Sequence, residues 1–224
     1  MQSDSREVQN MKKMAALLSG VLLSCAVSGA RADVPEPDVL IKDTVREVLN
    51  IVRADKELRS GNQKKLLELV DAKVLPHFNF ERMTRLAVGK SWRTATPEQK
   101  QALVAEFRTL LVRTYTKAFT SYRDQTVEVK PVKLAADATE VTIKTAIIKP
   151  GAQQPILVDY DMEKKPDGWK VYDLTVEGVS LVTSYRGTFA DQVQQTGIDG
   201  LIKTLVEKNQ AAANAAATQK AESK

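Results

Sequence analysis

The stretch from Thr96 to Tyr122 limits the fold more than any other part of the chain. Its apolar side chains, Leu103, Phe107, Leu110, Leu111, Tyr115, Ala118, Phe119 and Tyr122, recur mostly in steps of three and four. That period places them on one broad stripe of an α-helix. Thr96 is a suitable N-cap, Pro97 fits the first helical turn, and Gln99 completes a T-x-x-Q capping box. Strand-like segments follow, so a long apolar helix laid across a sheet is expected. The space between them is either the floor of a filled core or one wall of an apolar pocket.

Three shorter helices precede it. Asp38 to about Leu58 carries the stripe Ile41, Val45, Val48, Leu49 and Val52 against a charged face. Ser60-Gly61-Asn62 breaks and re-caps the chain, and Pro76 ends a second helix that begins near Gln63. Asn79 caps a third, Phe80 to Val88, which Gly89 stops. Trp92 is expected to pack on the first turn of the long helix.

After Tyr122 the pattern becomes alternation. Gln125 to Lys130 is one short strand, and Thr139 to Ile148, with Val141, Ile143, Thr145 and Ile147 on one face, is the clearest. Lys149-Pro150-Gly151 and Lys165-Pro166-Asp167-Gly168 are turns. The strand bearing Ile156, Val158, Tyr160 and Met162 therefore lies in an antiparallel meander. Trp169 to Val176 places apolar residues on both faces under strict alternation, which predicts cover on both sides. Helices are expected over about Val179 to Gln194 and Ile198 to Lys208. The Ala-rich stretch 209–224 reads as a flexible tail. The fold class is α+β, with an antiparallel sheet of about four strands wrapped by N-terminal and C-terminal helices, in one domain over 33–208.

Residues 1–32 read as a segment removed before folding. Met11 opens a run with Lys12 and Lys13 as its positive start, Met14 to Val27 as its apolar centre, and Ala30-Arg31-Ala32 as a cleavage site. That implies export across a membrane. Cys25 follows Leu22-Leu23-Ser24, a poor lipoprotein box, and cleavage after Ala32 leaves no cysteine for disulfide or thiolate chemistry. Without Arg6, Lys12, Lys13 and Arg31 there remain 29 of the 33 basic residues, and without Asp4 and Glu7 there remain 26 of the 28 acidic ones. A net charge of +3, spread among acidic neighbours, argues against nucleic-acid binding.

Catalytic parts are scarce. The one histidine, His77, has no second histidine or cysteine to join it as a metal ligand or nucleophile pair. Asp159 and Asp161 share a strand face, and solvent exposure explains them as well as catalysis does. Arg113, Lys117 and Arg123 read equally well as a solvated helix surface or a phosphate contact. No metal and no cofactor are expected. Hydrophobic surface is what the chain has in plenty. A hydrocarbon ligand needs only dry volume, and each buried CH₂ gives about 0.8 kcal/mol.

Three stretches carry a resemblance. LVDAKVLPHFNFERMTRLAVGKSWRTATPEQKQALVAEFRTLLVRTYTKAF resembles the central region of the MlaC, or toluene-tolerance auxiliary, family of periplasmic phospholipid carriers. GWKVYDLTVEGVSLVTSYR is similar to that family's Y-D-x-x-x-E-G-V-S segment, here Tyr172, Asp173, Glu177, Gly178, Val179 and Ser180. TGIDGLIKTL, Thr196 to Leu205, resembles its last helix, so the likeness runs from about 36 to 208. It implies a cone-like fold around a cavity for lipid tails, and a monomeric, non-enzymatic periplasmic shuttle. The implied partners are phospholipid, an inner-membrane ABC transporter complex with an MCE-domain subunit, and an outer-membrane lipoprotein–porin complex.

Pattern and resemblance together nominate the cavity wall. The candidates are Phe107, Leu111, Tyr115 and Phe119 on the long helix, then Ile143, Ile147, Val158, Tyr160 and Val171 on the strands, and Val179 and Val182 after the E-G pair. The rival readings are a periplasmic hydrolase or isomerase acting through Asp159 or His77, and a lipoprotein tethered at Cys25.

Overall fold

A computed structural model describes residues 35–120 and 125–222, with the side chains of 117–120, 216, 217 and 219–222 outside that description. The signal-segment and Cys25 expectations, and those on Tyr122 and Arg123, lie outside the described residues. Residues Val34–Lys224 form one compact unit.

Helix α1 (Pro37–Ala54) starts with proline in its first turn and buries Pro37, Ile41, Val48 and Val52. It stops four residues before the expected Leu58. Asp55 takes an extended backbone, and its carboxylate accepts from the Glu57 and Leu58 amides to cap the one-turn helix α2 (Lys56–Arg59). Asn62 then caps α3 (Gln63–Lys73). A 3₁₀ turn at Leu75–His77 follows, and Asn79 caps α4 (Phe80–Val88). Gly89, with φ of 66°, ends α4 and opens the 3₁₀ turn that buries Trp92. The long helix α5 (Pro97–Thr120) begins with the expected capping box. The Thr96 amide donates to Gln99 Oε1 at 3.0 Å, and the Gln99 amide to Thr96 Oγ1 at 3.2 Å.

Five antiparallel strands follow in sequence order: β1 (Thr126–Val129), β2 (Glu140–Ile148), β3 (Ile156–Lys165), β4 (Gly168–Val176) and β5 (Val179–Ser180). The two-residue fifth adds to the sheet of about four strands expected. Glu177 (φ 49°) and Gly178 (φ 81°) both take left-handed backbone, the signature of a two-residue hairpin turn. The chain therefore doubles back at Val179, paired with Val176, instead of entering a helix there. The Glu177 amide also donates to the Leu157 carbonyl at 3.0 Å, tying this turn to β3. Helix α6 (Arg186–Glu222) comes later, after a 3₁₀ turn at Thr183–Tyr185. It is bent at Gly197 (φ 73°) and stays helical through the Ala-rich stretch read as a tail. Asn209 is buried there, its amide donating to the Glu106 carbonyl at 2.9 Å and carboxylate at 2.8 Å.

Strand β4 is not apolar on two faces. Val171 pairs with Met162 and Asp173 with Asp161, which leaves Tyr172 as the extra residue of a β-bulge. The bulge resets the alternation. Trp169, Val171, Leu174 and Val176 come to stand opposite Lys164, Met162, Tyr160 and Val158, residues that share one face of β3. Tyr172 is covered separately, its ring 3.5 Å beneath the Arg82 guanidinium. Arg82 in turn pairs with Glu163 at 2.8 Å and Glu140 at 2.7 Å, clamping α4 to the sheet.

The helix that lies on the sheet is α1, not α5. Ile41 packs with Ile143, Met162, Trp169 and Val171, and α1 contacts β1 and β2. Helix α5 packs chiefly on α6, α4 and α3. There Leu103 and Phe107 meet Phe189, Leu201 and Leu205 in a filled core.

Candidate functional site

Between α1 and the sheet the side chains do not close. The sheet presents Val127, Ile147, Val158, Tyr160, Val171, Leu174 and Val176, and α1 presents Ile41, Thr44, Val45, Val48 and Leu49. Val74, His77, Phe78, Tyr115 and Leu181 complete a hollow of about 220 Å³. A second space, of about 100 Å³, lies under α3, α4 and α5, lined by Val70, Leu75, Phe80, Met83, Leu111, Val112 and Thr116. The two share Val74, Phe78, Tyr115, Leu174 and Leu181, so they are adjoining lobes on either side of one common wall. Protein interiors leave few voids larger than a water molecule, so an empty volume of this size is a built feature. The walls are mostly β-branched and short, and such residues on facing elements cannot reach across the gap.

One connection holds the shared wall in place. Phe78 makes a parallel bridge to Val171, the Asn79 amide donates to the Val171 carbonyl at 2.8 Å, and Lys170 Nζ reaches the Pro76 carbonyl at 2.9 Å. These bonds staple residues 76–79 to β4 and fix the Phe78 ring, stacked on Phe80 at 5.7 Å between centroids, where the lobes meet.

No carboxylate, lysine, arginine, serine or cysteine lines either lobe among the described residues. Among the described residues His77 is the one titratable nitrogen in the wall. Burial, and then the nearby positive charge of Lys170, push its pKa below the ordinary value, with Glu47 opposing weakly, so the ring is neutral at pH 7. At the junction Tyr185 bonds to Tyr115 and Thr114. Burial first, and the Tyr115 neighbour second, push the Tyr185 hydroxyl up to about 12. Among the described residues the site offers hydrocarbon contact and a few neutral polar groups, and no pair of lining groups suited to activate water or a nucleophile.

Of the nominated residues, the structure brings Ile147, Val158, Tyr160, Val171 and Tyr115 to the larger lobe, and Leu111 and again Tyr115 to the smaller. Tyr115 is 41% exposed, so the hollow reaches the surface beside it. Phe107 does not line either lobe: its ring is fully buried, edge-on to Tyr185 and Phe189 at 5.1 and 5.2 Å. Val182 belongs to that same core and Ile143 to the layer beneath α1, both fully buried. Val179, on the hairpin return, is 63% exposed and lies one strand beyond the wall residue Val176. The Phe119 side chain lies outside the described residues.

The wall supplied by α1 is not among the nominated residues, although its stripe of Ile41, Val45, Val48 and Leu49 is plain in the sequence. Helix length does not mark the helix that covers the sheet: the 18-residue α1 does so, and the 24-residue α5 packs on other helices. Asp159 and Asp161, the other catalytic candidates, sit away from the hollow. Asp161 accepts from Thr142 Oγ1 at 2.6 Å, and Asp159 pairs across the ladder with Lys144 and Thr175.

A family model described as MlaC protein matches residues 42–207. The chain belongs to the MlaC family. Within that family it is 25% identical, over 197 residues, to the intermembrane phospholipid transport system binding protein MlaC of Haemophilus influenzae, covering 87% of this chain and 92% of that protein. It is 28% identical over 186 residues to the toluene tolerance protein ttg2D of Pseudomonas putida, covering 80% and 85%. A solved phospholipid-binding protein from Ralstonia solanacearum, in complex with a phospholipid, shares 39% identity. It matches with a TM-score of 0.74 over 80% of this chain and 99% of that one. The MlaC family match takes in all of α1 after Ile41 and every strand, and so every wall residue of the hollow except Ile41.

Proposed function

We propose that this chain is a phospholipid carrier: it holds acyl chains in the hollow between α1 and the sheet and leaves the headgroup in water. The hollow itself carries the reading. Its walls are greasy, it is open beside Tyr115, and among the described residues no charged side chain lines it. Each CH₂ moved into it contributes about 0.8 kcal/mol, so a modest length of chain suffices for retention. The solved relative bound to phospholipid has the same fold over nearly its whole length, which supports the same use here.

In this reading the protein works in the periplasm after loss of residues 1–32, as a monomer. It passes lipid between an inner-membrane ABC transporter bearing an MCE-domain subunit and an outer-membrane lipoprotein–porin complex, and so maintains outer-membrane lipid asymmetry. No helix among the described residues is long and apolar enough to cross a membrane, so a membrane contact is made by docking or through another segment.

His77 in the wall is the one observation favouring hydrolysis instead. A hydrolase also needs a nucleophile or a second acid–base group in reach, and none lines the lobes among the described residues. Organic extraction of protein purified from the periplasm, followed by mass spectrometry, tests the carrier reading. Intact diacyl phospholipids of several headgroup types are expected. Protein without lipid, or one that converts added phospholipid to products, would refute it.

A further inference from the structure

The hollow is divided, and unequally. The Phe78 ring stands where the 220 Å³ lobe beneath α1 meets the 100 Å³ lobe beneath α3 and α5, and it lines both. Its backbone is not free to withdraw, because the Val171 bridge and the Asn79 amide bond fix it to β4. Behind it, Leu111 and Val112 on α5 and Val70 on α3 wall only the smaller lobe. Tyr115 touches both lobes and is part-exposed, so a ligand entering beside it meets the fork at once.

We propose that the lobes take separate acyl chains of one lipid, and that the smaller lobe counts them: it makes the protein favour two-chain over one-chain phospholipids. This rests on the carrier reading and adds a selectivity to it. A lipid with one chain fills the larger lobe and leaves the smaller one dry and empty, which forfeits its dispersion contacts. A second chain recovers them. Each CH₂ seated there multiplies affinity about fourfold, so even two or three set a preference of tens. Leu111 and Val112 are then the residues that set chain number, and Phe78 keeps the chains apart.

The experiment is native mass spectrometry of delipidated full-length protein reloaded with either dioleoyl phosphatidylglycerol or its one-chain lyso form. The wild type should retain the two-chain lipid at least about tenfold better. Leu111→Trp, which fills the smaller lobe, should erase that preference by lowering two-chain retention while lyso-lipid retention holds. Val112→Phe, milder and on the same wall, should move the ratio the same way if Leu111→Trp fails to fold. Val158→Phe, in the larger lobe, should lower both lipids together. Phe78→Ala, which removes the divider between the lobes, should lower the two-chain to one-chain retention ratio. If the wild type binds neither lipid, the carrier reading fails. If it binds two-chain lipid and both smaller-lobe variants retain it at the wild-type ratio, carriage stands and the counting role is overturned.

Discussion

The α5–α6 interface and the α1–sheet interface are made from the same classes of residue and end in opposite states. Between α5 and α6, Phe107 meets Tyr185 and Phe189 at centroid distances near 5 Å, and Leu103, Leu201 and Leu205 fill what the rings leave. Interlocking aromatics at these angles add attraction beyond their buried area. Between α1 and the sheet, Ile41 packs well at one end, but Thr44, Val45, Val48 and Leu49 face Ile147, Val158 and Val176 across a gap. No aromatic from α1 crosses it. Apolarity alone therefore does not decide whether space is filled; the reach of the facing side chains does.

The largest effect expected of that difference is at Phe107. Phe107→Ala should cost about 3–5 kcal/mol of unfolding free energy, measured by denaturant titration of lipid-free protein. Lipid content per folded molecule should not change, since that ring lines neither lobe. Val45→Trp tests the other side with the opposite sign. It fills the hollow, so it should stabilise the lipid-free protein by about 0.5–2 kcal/mol while co-purifying phospholipid falls about tenfold. Loss of stability at Val45 equal to that at Phe107 would mean the two interfaces are alike after all.

A smaller effect is tied to pH. The His77 pKa is lowered in the folded chain, so the unfolded chain takes up its proton first as pH falls. Stability should be full above the unfolded value of about 6.5 and decline as pH drops below it, the loss levelling off under the folded pKa. The charges facing this ring are Lys170, which lowers the value, and Glu47, which raises it. Thermal melts from pH 7.5 to 5 should show that slope, and His77→Gln should flatten it. Least of all should follow from Val179→Asp. A side chain 63% exposed on an edge hairpin should change stability by no more than about 0.5 kcal/mol and leave lipid content intact.

Sequence periodicity located the helices and strands well because caps and turns are local: Thr96 with Gln99, Asn62, Asn79 and Gly89 each did what its type predicts. It failed where backbone geometry was non-local or irregular. The Tyr172 bulge shifted β4 by one residue, and one residue moves a side chain to the other face. Glu177 in a left-handed conformation turned an expected helix start into a hairpin, a state its residue type does not advertise. For the hollow, alternation groups Ile147, Val158 and Tyr160, which line the larger lobe, yet no pattern within α5 distinguishes core Phe107 from lining Leu111 one turn later. That distinction depends on what α6 places opposite, which pairwise spacing along one helix does not contain.

The most direct test uses the unaltered protein and a phospholipid carrying a photoactivatable group in its acyl chain. After irradiation, adducts mapped by peptide mass spectrometry should fall on the α1 stripe, Val45 and Val48, and on Val158 and Tyr160 of β3, sparing Phe107 and Phe189. Adducts on the Phe107–Phe189 core, or confined to the exposed Val179 hairpin, would contradict the account.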